Sequence, residues 1–595
     1  MAQLPAACRR ALNIRLKLLI SQASSENMWG MSTVTAEPKF AGKIRPNAPQ
    51  LASVLLPLLL VLLASSSTFF SCLSDHPIFN PDEGLYAEPA REMLDTGEYI
   101  TTLLNYVVRF TKPPLVIWLM AFSYKIFGVN EFAARYVCAA SGVILVGVTY
   151  LFARRYLSPR TALITGLCLS TAPLFVGTAR EAITDMPLSL FMGGALMSLL
   201  HGFRRRQMSF CYLGYVLVGL AVMTKGPVGL LLPGVIMVLY HGLRGELLTA
   251  WRQYKPLLGL AIVLAIALPW FAVEIYITKG AYYQEFLVRE NFQRFTSVVD
   301  HKGAWWYHIA AMAGGFFPWT LFAPQALLLA GMPQMARLKN WKGGICSQES
   351  ENIIAEDADG TLLFLGIWLV ITVAFFSASV SKLLPYTVPA FPALAMIVAA
   401  FVDKQWRLGK RAWLAIPLSL LAAVGGVALY VVPRVMSPLH DLPPTLPGLV
   451  QSLLLFFTCL SVAGLLLLRL ANSRIAFGCL LAGTFAVYAV FGEPILDTVS
   501  NEWEGPVPWF SNFASLSGEP IVVYHMRKPS VPFYAHRQVI VPAGAPQLAR
   551  LNTELNSAYL IARRDDLDEL AKLPDIHLQV RCGRYALLHW HHAAH

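Results

Sequence analysis

The side chains best placed for chemistry are isolated acids and cations lying in short polar stretches between long apolar runs. The densest stretch is 80–114, where Asp82, Glu83, Tyr86 and Glu88 precede Tyr106, Arg109, Phe110 and Lys112. Asn80-Pro81-Asp82-Glu83 reads as a helix start: Asn80 can cap it, Pro81 fits its first position and Glu83 sits where a capping box wants a carboxylate. Asp82 and Tyr86 would then share one face. First-turn acids often only complement the helix dipole, and that alone would explain Asp82 and Glu83. Lys112-Pro113-Pro114 changes the balance, because an acid pair and a cation now flank one loop beside an apolar run.

Further charges recur in the same kind of setting: Arg180, Glu181 and Asp185 in TAREAITDMP, Lys225 in TKGP, Arg289, Glu290 and Arg294 in VRENFQRF, His301 before Trp305-Trp306, and Lys382 with Tyr386 in SKLLPY. Charges near membrane depth are costly, so they point to function. Plainer readings compete: Lys225 can snorkel to an interface, Asp185 can cap a helix, and His301 can be an ordinary loop histidine. Gathered in one pocket, these groups would pair cations able to neutralise a departing phosphate with carboxylates able to orient or deprotonate an incoming group.

The elements that position them are membrane spans. The chain has 595 residues, 56% hydrophobic and only 14% charged, against about 25% charged in soluble domains. Apolar runs at about 51–70, 132–153, 159–178, 184–202, 209–224, 226–241, 256–278, 305–330, 361–378, 384–402, 412–432, 446–468 and 474–491 predict about thirteen spans. Cations alternate with this count. Arg154, Arg155 and Arg160, Arg204 to Arg206, Arg244, Arg252 and Lys255, and Lys404, Arg407, Lys410 and Arg411 fall on one side, where the positive-inside rule puts the cytoplasm. The predicted organisation is a cytoplasmic arm at 1–50, a transmembrane domain at 51–491 with outer loops 71–131 and 279–304, and a small outer α/β domain at 492–595. In the first loop, KPPLVIWLMAFSYKIFG suits a helix lying along the membrane surface.

The net charge of +12 has its sources in cytoplasmic loops and anionic lipids, and no basic run interleaved with aromatics argues for nucleic acid. Nine scattered cysteines without a CxxC pair make neither a disulfide framework nor a zinc site. A Walker loop and a dinucleotide fingerprint are also missing from the sequence.

Asp82-Glu83-x-x-Tyr86-Ala87-Glu88-x-x-Arg91-Glu92-Met93, followed by Lys112-Pro113-Pro114 and Trp118, resembles the first extracytoplasmic loop of the polyprenyl-phosphate-sugar glycosyltransferases of the protein mannosyltransferase superfamily. Within it, the lipid A aminoarabinose transferases are the nearest match. The resemblance implies a multi-pass inner-membrane protein of the GT-C fold with its site facing the periplasm. It implies an inverting transfer of 4-amino-4-deoxy-L-arabinose from undecaprenyl phosphate to a lipid A phosphate, which modifies lipopolysaccharide and confers polymyxin resistance. Asp82 and Asp185 are the expected catalytic carboxylates. Lys112, Lys225, Arg294, Tyr86, Tyr386, Glu83 and Lys382 are expected to bind substrate. No organic cofactor is expected, and Glu88 with His301 is the candidate pair for a divalent metal. The expected partners are the lipid-linked donor, lipid A and membrane lipids, with the chain a monomer. Two family positions differ: Leu85 stands where an arginine is usual before the tyrosine, and Thr111 where a glutamate usually precedes KPP. A relative that glycosylates protein hydroxyls is the neighbouring reading, and a lipid transporter is the rival from another class. Charges collected at one face, without inverted repeats, count against transport.

Overall fold

In lipid a backbone must satisfy its own hydrogen bonds, so each long apolar run becomes a helix. The computed structural model describes residues 48–293, 303–328, 330–331, 360–436, 443–573 and 575–591. Ten of its described helices are long and apolar enough to cross a bilayer, and a pair bent by 61°, Pro159–Leu169 with Pro173–Arg180, passes the same length and composition test when joined.

In chain order, α1 is Ala48–Phe69, α2 Gly84–Thr96, α3 Leu115–Phe127, α4 Glu131–Tyr156, α5 Pro159–Leu169 and α6 Pro173–Arg180. They are followed by α7 (Asp185–Arg205), α8 (Met208–Lys225), α9 (Val228–Leu243), α10 (Leu247–Tyr254) and α11 (Pro256–Ile277). Two expected spans take other forms. Helix α9 has 16 residues, about 24 Å of rise against a hydrocarbon core of about 30 Å. The 305–330 segment is broken into α12 (Tyr307–Gly315), a 3₁₀ turn at Trp319–Phe322 and a helix resumed at Ala323. Gly314, Gly315 and Pro318 lie at that break, where helix propensity is lowest.

The first loop holds α2, a ribbon pairing Leu103–Leu104 with Val107–Val108, and α3. Helix α3 buries Val116, Ile117 and Met120 while Phe122 and Ile126 remain exposed, as befits a helix lying against lipid. The second loop is a π-helical segment, Tyr283–Gln293. Arg294, His301 and the arm before residue 48 lie outside the described residues.

Beyond Thr361–Ala378 and Phe391–Leu408 come Ala412–Met436, Leu446–Leu470 and a last span that runs Ser473–Trp503. The expected boundary at 492 therefore falls inside a helix, which continues through a π turn at Tyr488–Gly492. After it, four strands order as β3-β4-β6-β5: Ile521–Val523, Ser557–Arg563, Tyr585–His591 and Ile576–Cys582. Strands β3 and β4 are parallel and the other pairs antiparallel. The core of this domain, Val522, Leu560, Leu588 and Trp590, follows the alternation of inward apolar residues along each strand.

Candidate active site

A cavity of about 500 Å³ opens where the lead-in turn of α2 meets the end of α6, the start of α12 and the 382–385 turn. Asp82, Thr178, Glu181, Tyr307 and Lys382 are among its lining residues. Asp82 is not the first residue of a helix. It sits in the turn before Gly84, although Leu85 N–H already bonds Pro81 O at 3.1 Å. Asn80 does not cap this helix either. Its amide donates to Glu504 at 2.7 Å and accepts from Ser530 N–H at 3.0 Å, both in the C-terminal region.

Glu83 is corrected from a substrate ligand to a structural keystone. One oxygen accepts from Arg135 Nε and Ala182 N–H, each at 2.8 Å, and the other from Arg135 at 2.7 Å and Phe79 N–H at 2.8 Å. Those four contacts fill a carboxylate's acceptor sites, and the residue is 1% exposed. Glu88 is fully buried and held bidentately by Arg91 at 2.7 and 2.8 Å. Its expected partner His301 lies outside the described residues.

Asp185 opens α7 and Lys225 closes α8, and because these helices run antiparallel their two ends meet in an ion pair of 2.6 Å. Both charges suit the dipole of the helix end that carries them. Lys225 Nζ also lies 4.4 Å from the centre of the Tyr386 ring. Tyr86 completes the group. Burial pushes its hydroxyl up, while the charges of Arg109, Lys225 and Asp185 act on it from close by. Arg109 donates to Leu85 O and stands 5.6 Å over the Tyr86 ring. Tyr86, Asp185, Lys225 and Tyr386 are thus brought together.

Lys112 is placed differently, against Glu290 of the π segment at 3.4 Å. That segment also borders Lys225: Gly226 has φ +83°, and a Cβ there would lie 2.6 Å from Phe286 and 3.6 Å from Asn291 Oδ1. Only glycine allows this turn and this approach together. Arg294, one residue beyond the π segment, is outside the described residues. Lys382 is a correction. Its stem lines the cavity, but its ammonium donates to the carbonyls of Phe376, Ser377 and Ser379, three acceptors for three donors. It closes the end of the Thr361–Ala378 helix, and burial lowers its pKa.

Glu181, named from the sequence only among the charges of TAREAITDMP, joins the cavity. Its neighbour Arg180 pairs with Glu493 at 2.7 Å, which leaves Glu181 to line the cavity. Glu181 is exposed on the cavity's wall yet surrounded by protein. Burial and the like charges of Glu83, Asp82 and Asp185 push its carboxyl up to about 8. Its place between Arg180 and Asp185 in one motif was the only signal for it.

Residues 111–272 match the family model described as dolichyl-phosphate-mannose-protein mannosyltransferase. Undecaprenyl phosphate-α-4-amino-4-deoxy-L-arabinose arabinosyl transferase 1 of Pseudomonas fluorescens is 30% identical over 408 residues, 67% of this chain and 69% of that protein. The chain belongs to this aminoarabinosyl transferase family. The Pseudomonas aeruginosa LESB58 member is 28% identical over 59% of this chain, and the match spans 60% of that relative's length. The crystal structure of ArnT from Cupriavidus metallidurans in the apo state superposes with a TM-score of 0.72 at 25% identity, covering 91% of this chain and 98% of that one. The GT-C architecture and the C-terminal sheet therefore belong to the aminoarabinosyl transferase fold, and the matched 111–272 stretch contains Lys112, Glu181, Asp185 and Lys225.

Proposed function

We propose that the chain is an inverting glycosyltransferase that moves 4-amino-4-deoxy-L-arabinose from undecaprenyl phosphate to a lipid A phosphate at the periplasmic face of the inner membrane, acting as a monomer. The observation that carries the reading is the Asp185–Lys225 pair beside Tyr386 and Tyr86, next to a cavity lined by Asp82 and Glu181, in a member of the aminoarabinosyl transferase family. Carboxylates and a cation are what the reaction needs. An oxygen of the acceptor phosphate attacks the anomeric carbon. The bond from that carbon to the donor phosphate breaks, and its electron pair leaves with undecaprenyl phosphate. Lys225 neutralises the charge growing on the leaving phosphate, where transition-state stabilisation is most effective. Asp82, from the cavity's wall, positions the acceptor and stabilises positive charge on the sugar. The reaction needs no organic cofactor.

The acceptor phosphate is already anionic, so Asp82 and Glu181 need not act as strong bases. A protein hydroxyl acceptor is the second reading, favoured by the match of 111–272 to protein mannosyltransferases. Mass spectrometry decides between them. Lipid A from cells carrying the gene should gain the mass of one aminoarabinose, and lipid A from cells without it should not. An unmodified lipid A alongside sugar-bearing envelope proteins would replace the first reading with the second.

A further inference from the structure

At the far end of α7 from Asp185, about 30 Å along the helix, lies a second cavity of about 320 Å³. Arg155, Arg204, Arg205 and Arg244 line it, with Glu246 the one carboxylate among the described lining residues. Beside it runs an apolar groove of about 240 Å³ between α8, α9, α10 and α11, lined among others by Val218, Gly234, Met237, Trp251 and Leu260. The two adjoin: Phe203, which lines the first, lies 4.4 Å from His241 and 5.4 Å from Tyr254 of the second between ring centres. Glu246 lines the first cavity and stands 3.6 Å from His241, which lines the second.

We propose that the paired cavities bind one anionic diacyl phospholipid, its phosphate among the arginines and an acyl chain in the groove. Arg244 pairs with Glu246 at 3.1 Å, and the remaining excess of positive charge from Arg155, Arg204 and Arg205 selects an anion, their planar forks suiting phosphate oxygens. The floor is built in advance. Arg204 donates to Thr361 at 2.9 Å and to Tyr240 at 3.2 Å, and it lies 4.7 Å over the Tyr156 ring. Arg155 stands 5.8 Å over the same ring, and Arg205 is exposed beside it, so both can meet a headgroup. A soluble phosphate has no use for the groove, and a neutral lipid has none for the arginines. Leu247, Leu248 and Trp251, exposed on the amphipathic α10, set the groove at the depth where a bilayer's headgroups give way to chains. Basic pockets between spans are a recurrent way of holding such lipids.

The test uses the purified full chain in detergent, with native mass spectrometry and thermal unfolding against phosphatidylglycerol, phosphatidylcholine and inorganic phosphate. Phosphatidylglycerol should be retained at least about tenfold more tightly than phosphatidylcholine, and Arg155→Ala with Arg205→Ala should remove most of that preference. Gly234→Leu is the second variant. A Cβ at Gly234 meets nothing within 4 Å, so the backbone there accepts a side chain, and a leucine occupying the groove should expel the diacyl lipid at an unchanged lipid-free melting temperature. Equal retention of phosphatidylcholine overturns the proposal. So does displacement of the lipid by equimolar inorganic phosphate, or full retention in both variants. Transfer activity is not read in this experiment, so its outcome is independent of the catalytic assignment.

Discussion

Asp82 and Glu83 are adjacent carboxylates with opposite assignments, and a pair of isosteric amides separates them. Glu83→Gln keeps the shape but removes the charge that balances Arg135, a guanidinium only 3% exposed. It also turns one acceptor into a donor facing either Arg135 or a backbone N–H. Breaking one partner of a buried pair costs about 3–5 kcal/mol. On the unfolding entropy typical per residue, that is a fall of roughly 2–4 °C in melting temperature for a chain of this length. Asp82→Asn touches an exposed side chain and should change stability by no more than about 0.5 kcal/mol. It removes charge from the cavity, however, and should cut transfer by about 10²–10⁴. The assay is transfer of aminoarabinose to lipid A in proteoliposomes, followed by mass spectrometry, beside thermal unfolding of the same preparations. An Asp82→Asn protein that keeps most of its rate, or a Glu83→Gln protein that melts with the wild type, would refute the division of roles.

Lys225→Met and Asp185→Asn should each reduce transfer by about 10²-fold or more, and the double variant should melt above either single one because no lone charge remains near the helix ends; a double variant less stable than both would contradict the pairing. Glu181 holds its proton up to about 8 in the folded chain, against 4.5 ordinarily, so the folded state binds more protons than the unfolded one between those values. The associated stabilisation is full below about 4.5 and is lost as pH rises through about 8, and Glu181→Gln should flatten that decline in melting temperature; an unaltered profile would remove the assignment. Cysteines at the exposed positions Glu98 and Glu569 should react with an impermeant reagent from the periplasm while one at Gln207 stays protected, and labelling in the opposite pattern would invert the topology.

The fold was legible because lipid leaves an apolar run so few choices. Composition and loop cations located the spans, and the departures at α9 and 305–330 come from shortness and from a glycine and proline break. Asp185, Lys225 and Tyr386, named from separate motifs, meet in space. What sequence could not supply was the partner of each charge. Glu83 and Lys382 look like ligands in a motif, yet Arg135 and three carbonyls consume them. Those partners lie on other elements, and nothing in local spacing records them. Strand β6 carries the chain through Trp590 to His591, with His589 bonded to Glu519 on another segment at 2.7 Å.

The same partners explain how an exposed carboxylate can be a precise one. Asp82 has little packing of its own, but the residues beside it are fixed from two directions. Glu83 ties the turn to the spans through Arg135 of α4 and the backbone of Ala182. Asn80 ties it to the C-terminal region through Glu504, which Lys528 holds at 2.8 Å, and through Ser530. Gly84 admits the close approach, since a Cβ there would lie 2.9 Å from Pro529. The entropy lost in ordering this turn is therefore offset by buried ion pairs on either side of Asp82, which lines the cavity. A site built this way needs the C-terminal domain for geometry even though that domain contributes no residue to the cavity's described lining. Domain and loop must then fit one another, and substituting one without the other should displace Asp82 before it disturbs any span.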